Sequence, residues 1–245
     1  MTRLEDVIFR VARPEDTDEV VDFLVKNLCY TSPINTSLKF DEEDCLCNYE
    51  AKVRHALPDG FSVVAVDKTR NKIVGCTVAS RWHRDPAKNL PSTPPATPKT
   101  KILYSLVSQM RSLFWELCPP AVSLVSRWRA VGPSGRSLSA RDLQKGGVGR
   151  TMMEYFSSED YLEAKGVHGT VGVATSVASL KVSLGMGAIP LAEMEYEEFF
   201  AANGLPFEGA FTDGTSKAVL IFTPIGRHRH FRVGAVKVKC QRAKL

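Results

Sequence analysis

The stretch Gln144-Lys145-Gly146-Gly147-Val148-Gly149-Arg150 decides how the rest of this chain is read. It is a glycine-rich turn running into an amphipathic segment, Met152 to Ala164, whose spacing predicts a helix. Gly147 and Gly149 allow a tight bend and a close approach of the backbone to a ligand. A helix starting there aims unpaired N–H groups and its positive dipole end at the same point. The combination is an anion cradle suited to a pyrophosphate. No Gly-Lys-Ser/Thr closes it, so it is not a nucleotide P-loop, and it is not Gly-x-Gly-x-x-Gly. A plain structural turn is the alternative.

Outward from this turn the chain alternates between strands and helices. Downstream, Val167 to Ala174, Pro190 to Glu195 and Lys217 to Thr223 read as strands, with a short helix over Ser176 to Leu184. At the start, Val7 to Ala12 alternates like a strand and stops at Arg13-Pro14. Asp16 or Thr17 can then cap a helix carrying Val20, Val21, Phe23, Leu24 and Leu28. Tyr30 to Lys39 is expected to be a loop, and Asp41-Glu42-Glu43-Asp44 to open a helix running to His55. Phe61 to Val66 and Lys72 to Trp82 predict a hairpin around Thr69-Arg70-Asn71. Pro86, Pro91, Pro94, Pro95 and Pro98 make residues 83–100 a Pro-rich insertion rather than a regular element. Lys101 to Leu117 puts Ile102, Leu103, Leu106, Met110, Phe114 and Leu117 on one helical face. Helices on both sides of a mixed sheet, with an anion cradle at a strand-to-helix turn, predict an α/β fold.

The 245 residues, 44% hydrophobic and 24% charged, can bury an ordinary globular core. Cys45-Leu46-Cys47 is the one close pair among six cysteines, and with no histidine nearby it is poor for zinc, so no metal is expected. The first residues do not read as a signal peptide, so none is expected, and no apolar run approaches the ~18 residues that span a bilayer. A reduced cytoplasmic setting without a membrane partner is the expectation. The net charge is +5, yet from Arg227 onward there are seven Lys/Arg and no acid, leaving about −2 for everything before. Residues 227–245 therefore read as a basic, solvated C-terminal tail behind a single domain, residues 1–226. A nucleic-acid-binding module using the Arg127–Arg150 and Arg227–Lys244 clusters is the alternative from another class. It lacks the interleaved aromatics that stack on bases.

Three stretches resemble the GCN5-related N-acetyltransferases, the GNAT superfamily. Phe9-Arg10-Val11-Ala12-Arg13-Pro14-Glu15-Asp16 is similar to its first strand and turn. The glycine-rich turn fits the Gln/Arg-x-x-Gly-x-Gly/Ala arrangement of its acetyl-CoA loop. Ser176 to Ala188 fits its later helix, Asn-x-x-Ala-x-x-Leu-Tyr-x-Lys-x-Gly-Phe, with Ser183 in place of the general-acid tyrosine and Gly187 as the terminal glycine. Within the superfamily the chain most resembles the invertebrate arylalkylamine (dopamine- or serotonin-type) N-acetyltransferases. These carry paired serines four residues apart, matched by Ser179 and Ser183, which one helical turn brings to the same side. Ala174-Thr175-Ser176, Glu195-Tyr196-Glu197-Glu198-Phe199 and Phe211-Thr212-Asp213-Gly214-Thr215 are also similar to that group, and the resemblance spans roughly residues 7 to 225.

The resemblance implies a mixed, mostly antiparallel central sheet flanked by helices, with acetyl-CoA as co-substrate and a small amine, most readily an arylalkylamine, as acceptor. Leu143, Gln144, Gly146, Gly147, Val148, Gly149, Arg150 and Thr151 would hold the cofactor, its pantetheine arm lying between splayed strands. Ser183 would serve the departing thiolate as acid, and Ser179 would help to bind substrate or cofactor. Protein or polyamine acetylation stays open, with the acidic Glu193–Glu198 stretch facing a cationic substrate. Leu103 and Phe114, with Phe40 or Trp82, are the candidates for an apolar wall against an aromatic amine. The competing reading of both serines is a hydroxyl bonded back to its own helix.

Two departures stand out. The group's base-supplying glutamate, in an Asp-Glu-Pro-Leu/Ile-Asn loop, is replaced by Ser32 in Tyr30-Thr31-Ser32-Pro33-Ile34-Asn35. Asp41, Glu42, Glu43 or Glu50 would have to act through water instead. The strand expected before the glycine-rich turn is interrupted: residues 127–144 read RWRAVGPSGRSLSARDLQ, and Gly132-Pro133 argues against a central strand. A misread or alternatively spliced segment would produce such a change, as would a short strand displaced to Ser137–Leu143. A catalytically impaired CoA-binding relative is therefore the second reading.

Overall fold

β-branched residues set the first half of the sheet. Val7–Val11 (β1), Val63–Asp67 (β2) and Lys72–Trp82 (β3) pair antiparallel in succession. At the β2–β3 turn the Asp67 carboxylate accepts hydrogen bonds from the N–H groups of Thr69 (2.9 Å) and Arg70 (3.0 Å). Asn71 there takes the left-handed conformation, at φ 49°, which asparagine tolerates. The computed structural model describes residues 4–85, 97–117, 124–131, 148, 151–152, 155, 159–225, 236–238 and 240. Its further strands are Leu124–Val131 (β4), Gly169–Ala174 (β5), Ile189–Glu195 (β6), Lys217–Pro224 (β7) and Val236–Lys237 (β8). They form one eight-stranded sheet in the order β1-β2-β3-β4-β5-β7-β6-β8. Neighbours run antiparallel except β4 with β5 and β6 with β8. This is the mixed, mostly antiparallel sheet the sequence led us to expect.

The strand before the glycine-rich turn corrects one expectation. β4 pairs with β3 along its whole length, from Trp82↔Leu124 to Gly75↔Val131. Gly132-Pro133 thus marks the end of a central strand, and residues 127–131 belong to it. Ser137 to Leu143 lies outside the described residues, as do residues 86–96 of the Pro-rich insertion. A second correction concerns the tail. Val236 and Lys237 pair with Ala192 and Glu193, the Val238 N–H bonds the Glu193 carbonyl at 2.8 Å, and Val238 and Cys240 pack against the core. That part of residues 227–245 adds an exposed two-residue strand to the edge of the sheet. The rest of the tail falls outside the described residues.

The helices are Thr17–Leu28 (α1), Pro33–Ser37 (α2), Glu42–Ala56 (α3), Pro98–Ser112 (α4), Phe114–Leu117 (α5), Glu159–Ala164 (α6), Val177–Gly185 (α7) and Tyr196–Ala202 (α8). α2 replaces part of the loop expected over Tyr30–Lys39: Pro33 sits at its first position, where a missing N–H costs nothing. α3 opens on a reciprocal cap, Asp41 and Asp44 each accepting the other's N–H at 2.9 and 3.1 Å. Asp16 makes no side-chain cap bond to α1. It grips the Arg10 guanidinium at 2.6 and 2.7 Å and the Arg13 N–H at 2.7 Å, tying β1 to the turn before α1.

Strand alternation divides the core. Val64, Val66, Cys76, Val78, Trp82, Val171, Leu220 and Phe222 meet α1, α3 and α4 on one face. Val63, Ala65, Val74 and Ala79 meet Val148, Met152 and Leu162 on the other. Leu180 of α7 packs with Ala174, Ala188, Val219 and Ile221, which alternate with Leu220 and Phe222 and so lie on that second face. The residues after the glycine-rich turn and α7 therefore share one side of the sheet.

Candidate functional site

The central feature is a break between two strands that both continue. β4 and β5 pair in parallel only at Leu124↔Gly169, Val125↔Thr170 and Ser126↔Val171. Beyond that, β4 stays with β3 as far as Val131, while β5 stays with β7 as far as Ala174↔Val219. Arg127–Val131 and Gly172–Ala174 consequently have no ladder partner on their facing edges among the described residues. Backbone N–H and C=O groups inside a sheet seldom go unpaired, so such a wedge suits a ligand that carries amides of its own. It opens at the carboxyl ends of both strands, the end of an α/β sheet where ligands commonly bind. β4 leads from there toward the glycine-rich turn, and β5 leads into α7.

Of the loop candidates, Val148 and Thr151 lie among the described residues, and both have helical backbone. Val148 is buried with Met152 against Val63, Ala65 and Val74, anchoring the start of this helical stretch on the sheet. The Tyr155 ring stacks on Phe9 of β1, with centroids 6.4 Å apart. Leu143, Gln144, Gly146, Gly147, Gly149 and Arg150 lie outside the described residues.

α7 carries the two serines, and the structure separates them. Ser176 caps the helix by accepting the Ser179 N–H at 3.2 Å. The Ser179 hydroxyl donates to the Ser176 carbonyl at 2.9 Å and accepts from the Ser176 N–H at 3.2 Å and hydroxyl at 3.0 Å. Its hydrogen-bonding capacity is taken up by the cap. Ser183, one turn on, is buried, and its hydroxyl has no partner among the described residues. The helix stops where Gly187 turns left-handed at φ 81°, with the N–H groups of Ala188 and Gly187 bonding the carbonyls of Ser183 and Leu184 at 3.0 Å. α7 lies against β5 from its carboxyl end. Seven helical residues from Ser176 to Ser183 rise roughly 10 Å. Three strand residues from Ala174 back to Val171 cover about the same distance. Ser183 thus sits near the level at which the wedge closes.

The expected acids are occupied or exposed. Burial works against the charged form of Asp44, but hydrogen bonds from Lys99 (2.7 Å), Thr97 (2.5 Å) and the Asp41 N–H outweigh it and hold its carboxyl below the usual range. Asp41 caps α3 and lies 3.4 Å from Lys99. Glu50 pairs with Arg54 at 3.1 Å, the Tyr30 hydroxyl reaches Glu42 at 3.4 Å, and Glu43 is exposed. Ser32 holds the N-cap position of α2 without a side-chain cap bond. Phe40, Trp82, Leu103 and Phe114 all belong to the core, where the Trp82 and Phe114 rings lie 5.3 Å apart at the closed end of the wedge. Among the described residues no group of three or more His, Cys, Asp or Glu could hold a metal ion, and no helix is long and apolar enough to cross a membrane.

No family model and no curated protein matches the sequence. Solved structures do match. Arylalkylamine N-acetyltransferase 2 from Aedes aegypti is similar with a TM-score of 0.63 at 14% identity, over 90% of this chain and 100% of that one. Putative arylalkylamine N-acetyltransferase 7 from the yellow fever mosquito gives 0.68 at 11%, over 90% and 88%. The Drosophila melanogaster polyamine N-acetyltransferase, an enzyme that forms N-acetylagmatine, gives 0.60 at 16%, over 90% and 100%. At these identities what is shared is the fold.

Proposed function

We propose that this chain, whose fold is that of the GCN5-related N-acetyltransferases, moves an acetyl group from acetyl-CoA to the primary amine of a small substrate by direct attack in a ternary complex. Arylalkylamines are the first acceptors to try. The observation that carries the reading is the β4–β5 wedge, a three-pair parallel contact that both strands outrun, with Ser183 of α7 at about the level where it closes. Acetyl-CoA, when bound, supplies an activated acetyl group and a thiol leaving group. The free edges of Arg127–Val131 and Gly172–Ala174 would bond the amides of its pantetheine arm, and residues 143–151 would hold its pyrophosphate at a helix start. Ser183 would hold a proton at its Oγ for the departing sulfur. Ser179 fixes the start of α7 and so the position of Ser183. The attacking amine must be neutral, because an ammonium has no lone pair, and the protein group that removes its proton is unassigned.

The test is thermal stability with and without acetyl-CoA, since a ligand bound only by the folded state raises the midpoint. Thiol release with dopamine-, serotonin- and agmatine-type amines then follows. A raised midpoint with amine-dependent thiol release supports the proposal. A folded protein indifferent to acetyl-CoA overturns it. The second reading is a chain that binds CoA without catalysis. It is favoured by Ser32 at a helix cap and by the engagement of Asp41, Asp44 and Glu50. A raised midpoint with no thiol release from any amine would select it.

A further inference from the structure

Thr170 is 2% exposed, and its hydroxyl has no hydrogen-bond partner among the described residues. A buried hydroxyl left unpaired destabilises a fold, so its retention calls for a reason. Thr170 pairs with Val125, one step inside the last β4–β5 pair, Ser126↔Val171. Val171 points to the α1/α3/α4 face, so Thr170 points to the α7 face, in one row with Gly172 and Ala174. Gly172 puts no side chain between Ala174 and Thr170 on the side that α7 covers. Ser183 approaches that level from α7, and its hydroxyl is also unpaired among the described residues. Of the two, the Thr170 hydroxyl is the one that is buried and unsatisfied, and it lies on the floor of the closed end of the wedge.

We infer that Thr170 contacts the acyl donor, its hydroxyl donating to the carbonyl oxygen of the thioester. This rests on the reading of the wedge as an acetyl-CoA site. At the closed end the facing backbone groups are committed to the ladder, and Thr170 Oγ1 is a polar atom of the floor without a partner among the described residues. The carbonyl oxygen is the strong hydrogen-bond acceptor at the reacting end of an acyl-CoA, whereas thioether-like sulfur accepts weakly. That oxygen gains negative charge as an amine attacks, and a donor fixed in a buried site then acts more strongly than it does on the ground state. Thr77 provides an internal control. It is fully buried with an equally unpaired hydroxyl, but it lies on β3, beside Arg129 and one strand away from the wedge.

The experiment compares Thr170→Val, Thr170→Ser and Thr77→Val with the wild type by thermal melting alone, with CoA and with acetyl-CoA, together with kcat and KM for amine acetylation. Valine matches threonine in shape, so both valine variants should melt higher without ligand because an orphan hydroxyl is gone. Thr170→Val should lose the part of the acetyl-CoA midpoint rise that exceeds the rise given by CoA (which has no acyl carbonyl), keep the rise given by CoA, and lower kcat roughly 10²-fold. Thr170→Ser should restore both, and Thr77→Val should alter neither. If Thr170→Val keeps the wild-type response to acetyl-CoA and its turnover, the inference fails and an internal water is the hydroxyl's partner. If the wild type responds to neither CoA nor acetyl-CoA, the acetyl-CoA reading fails, and this inference with it.

Discussion

Gly169 of β5 pairs with Leu124 of β4 on one side and Pro224 of β7 on the other, and replacing it with alanine probes the packing there directly. A Cβ added there would meet Phe222 Cε2 at 2.3 Å and Cζ at 2.7 Å, with the Thr223 carbonyl oxygen at 3.0 Å. Carbon atoms pack best at about 3.5–4.0 Å, so the Phe222 ring must retreat by more than ~1 Å. Its escape is blocked. The ring lies 5.6 Å from that of Phe114, which in turn meets Trp82 at 5.3 Å and Trp115 at 5.1 Å. The Thr223 carbonyl cannot yield without disturbing the β5–β7 ladder. Overpacking of this kind costs about 1–3 kcal/mol, and the blocked retreat places Gly169→Ala near the top of that range. In a domain of this size the melting midpoint should then fall by roughly 5–10 °C. Urea unfolding of Gly169→Ala, Phe222→Leu and the double variant tests the cause. Removing the ring removes the clash, so the two changes should couple by about 1–3 kcal/mol in the favourable direction. Additivity within ~0.5 kcal/mol would refute the reasoning, as would a Gly169→Ala protein as stable as the wild type.

Other perturbations separate chemistry from scaffolding. Ser183→Ala should lower kcat for amine acetylation roughly 10²-fold with little change in melting, as expected for loss of a proton donor; unchanged kcat would remove Ser183 from the chemistry. Ser179→Ala should instead cost about 1 kcal/mol of stability through the lost cap, read by urea unfolding. Asp44 titrates below the ordinary carboxylate value in the folded protein, so its contribution is fully present above the unfolded pKa near ~3.9 and is lost as pH falls through the lower folded value. Asp44→Asn should therefore be less stable than wild type at pH 7, with the gap closing below about pH 4; a gap that persists in acid would show that the charge is not what matters. Deleting residues 236–245 bares the β6 edge and should lower the melting midpoint and promote concentration-dependent association, visible by sedimentation.

The parts of the fold legible in the sequence were those whose ends carry chemical punctuation. α3 begins on Asp41 and Asp44, and α7 runs from a Ser176 cap to Gly187 in the left-handed region. β4 was misjudged although its own residues, Leu124 to Val131, are rich enough in Val, Leu and Trp for a strand. The Gly132-Pro133 break and the arginines on both sides of it hid a strand that ends just before the break. β8 has only two residues and no pattern of its own, and it exists because β6 offers an edge. At the site, the spacing of Ser179 and Ser183 is visible in sequence, but not that the Ser176-x-x-Ser179 cap consumes one hydroxyl and leaves the other free. Thr170 is one threonine among many until strand pairing places it beside the wedge, because orphaning is a property of three dimensions.

The break between β4 and β5 also divides the chain along its length. Among the described residues, every strand up to residue 131 lies on one side of it and every strand from residue 169 onward lies on the other. The halves share a sheet through three residue pairs, so this seam is where two contiguous stretches of polypeptide meet. Such an arrangement invites fragment complementation: a chain cut between the halves would rebuild the sheet on reassociation, and whatever fills the wedge would act as the cement between the pieces.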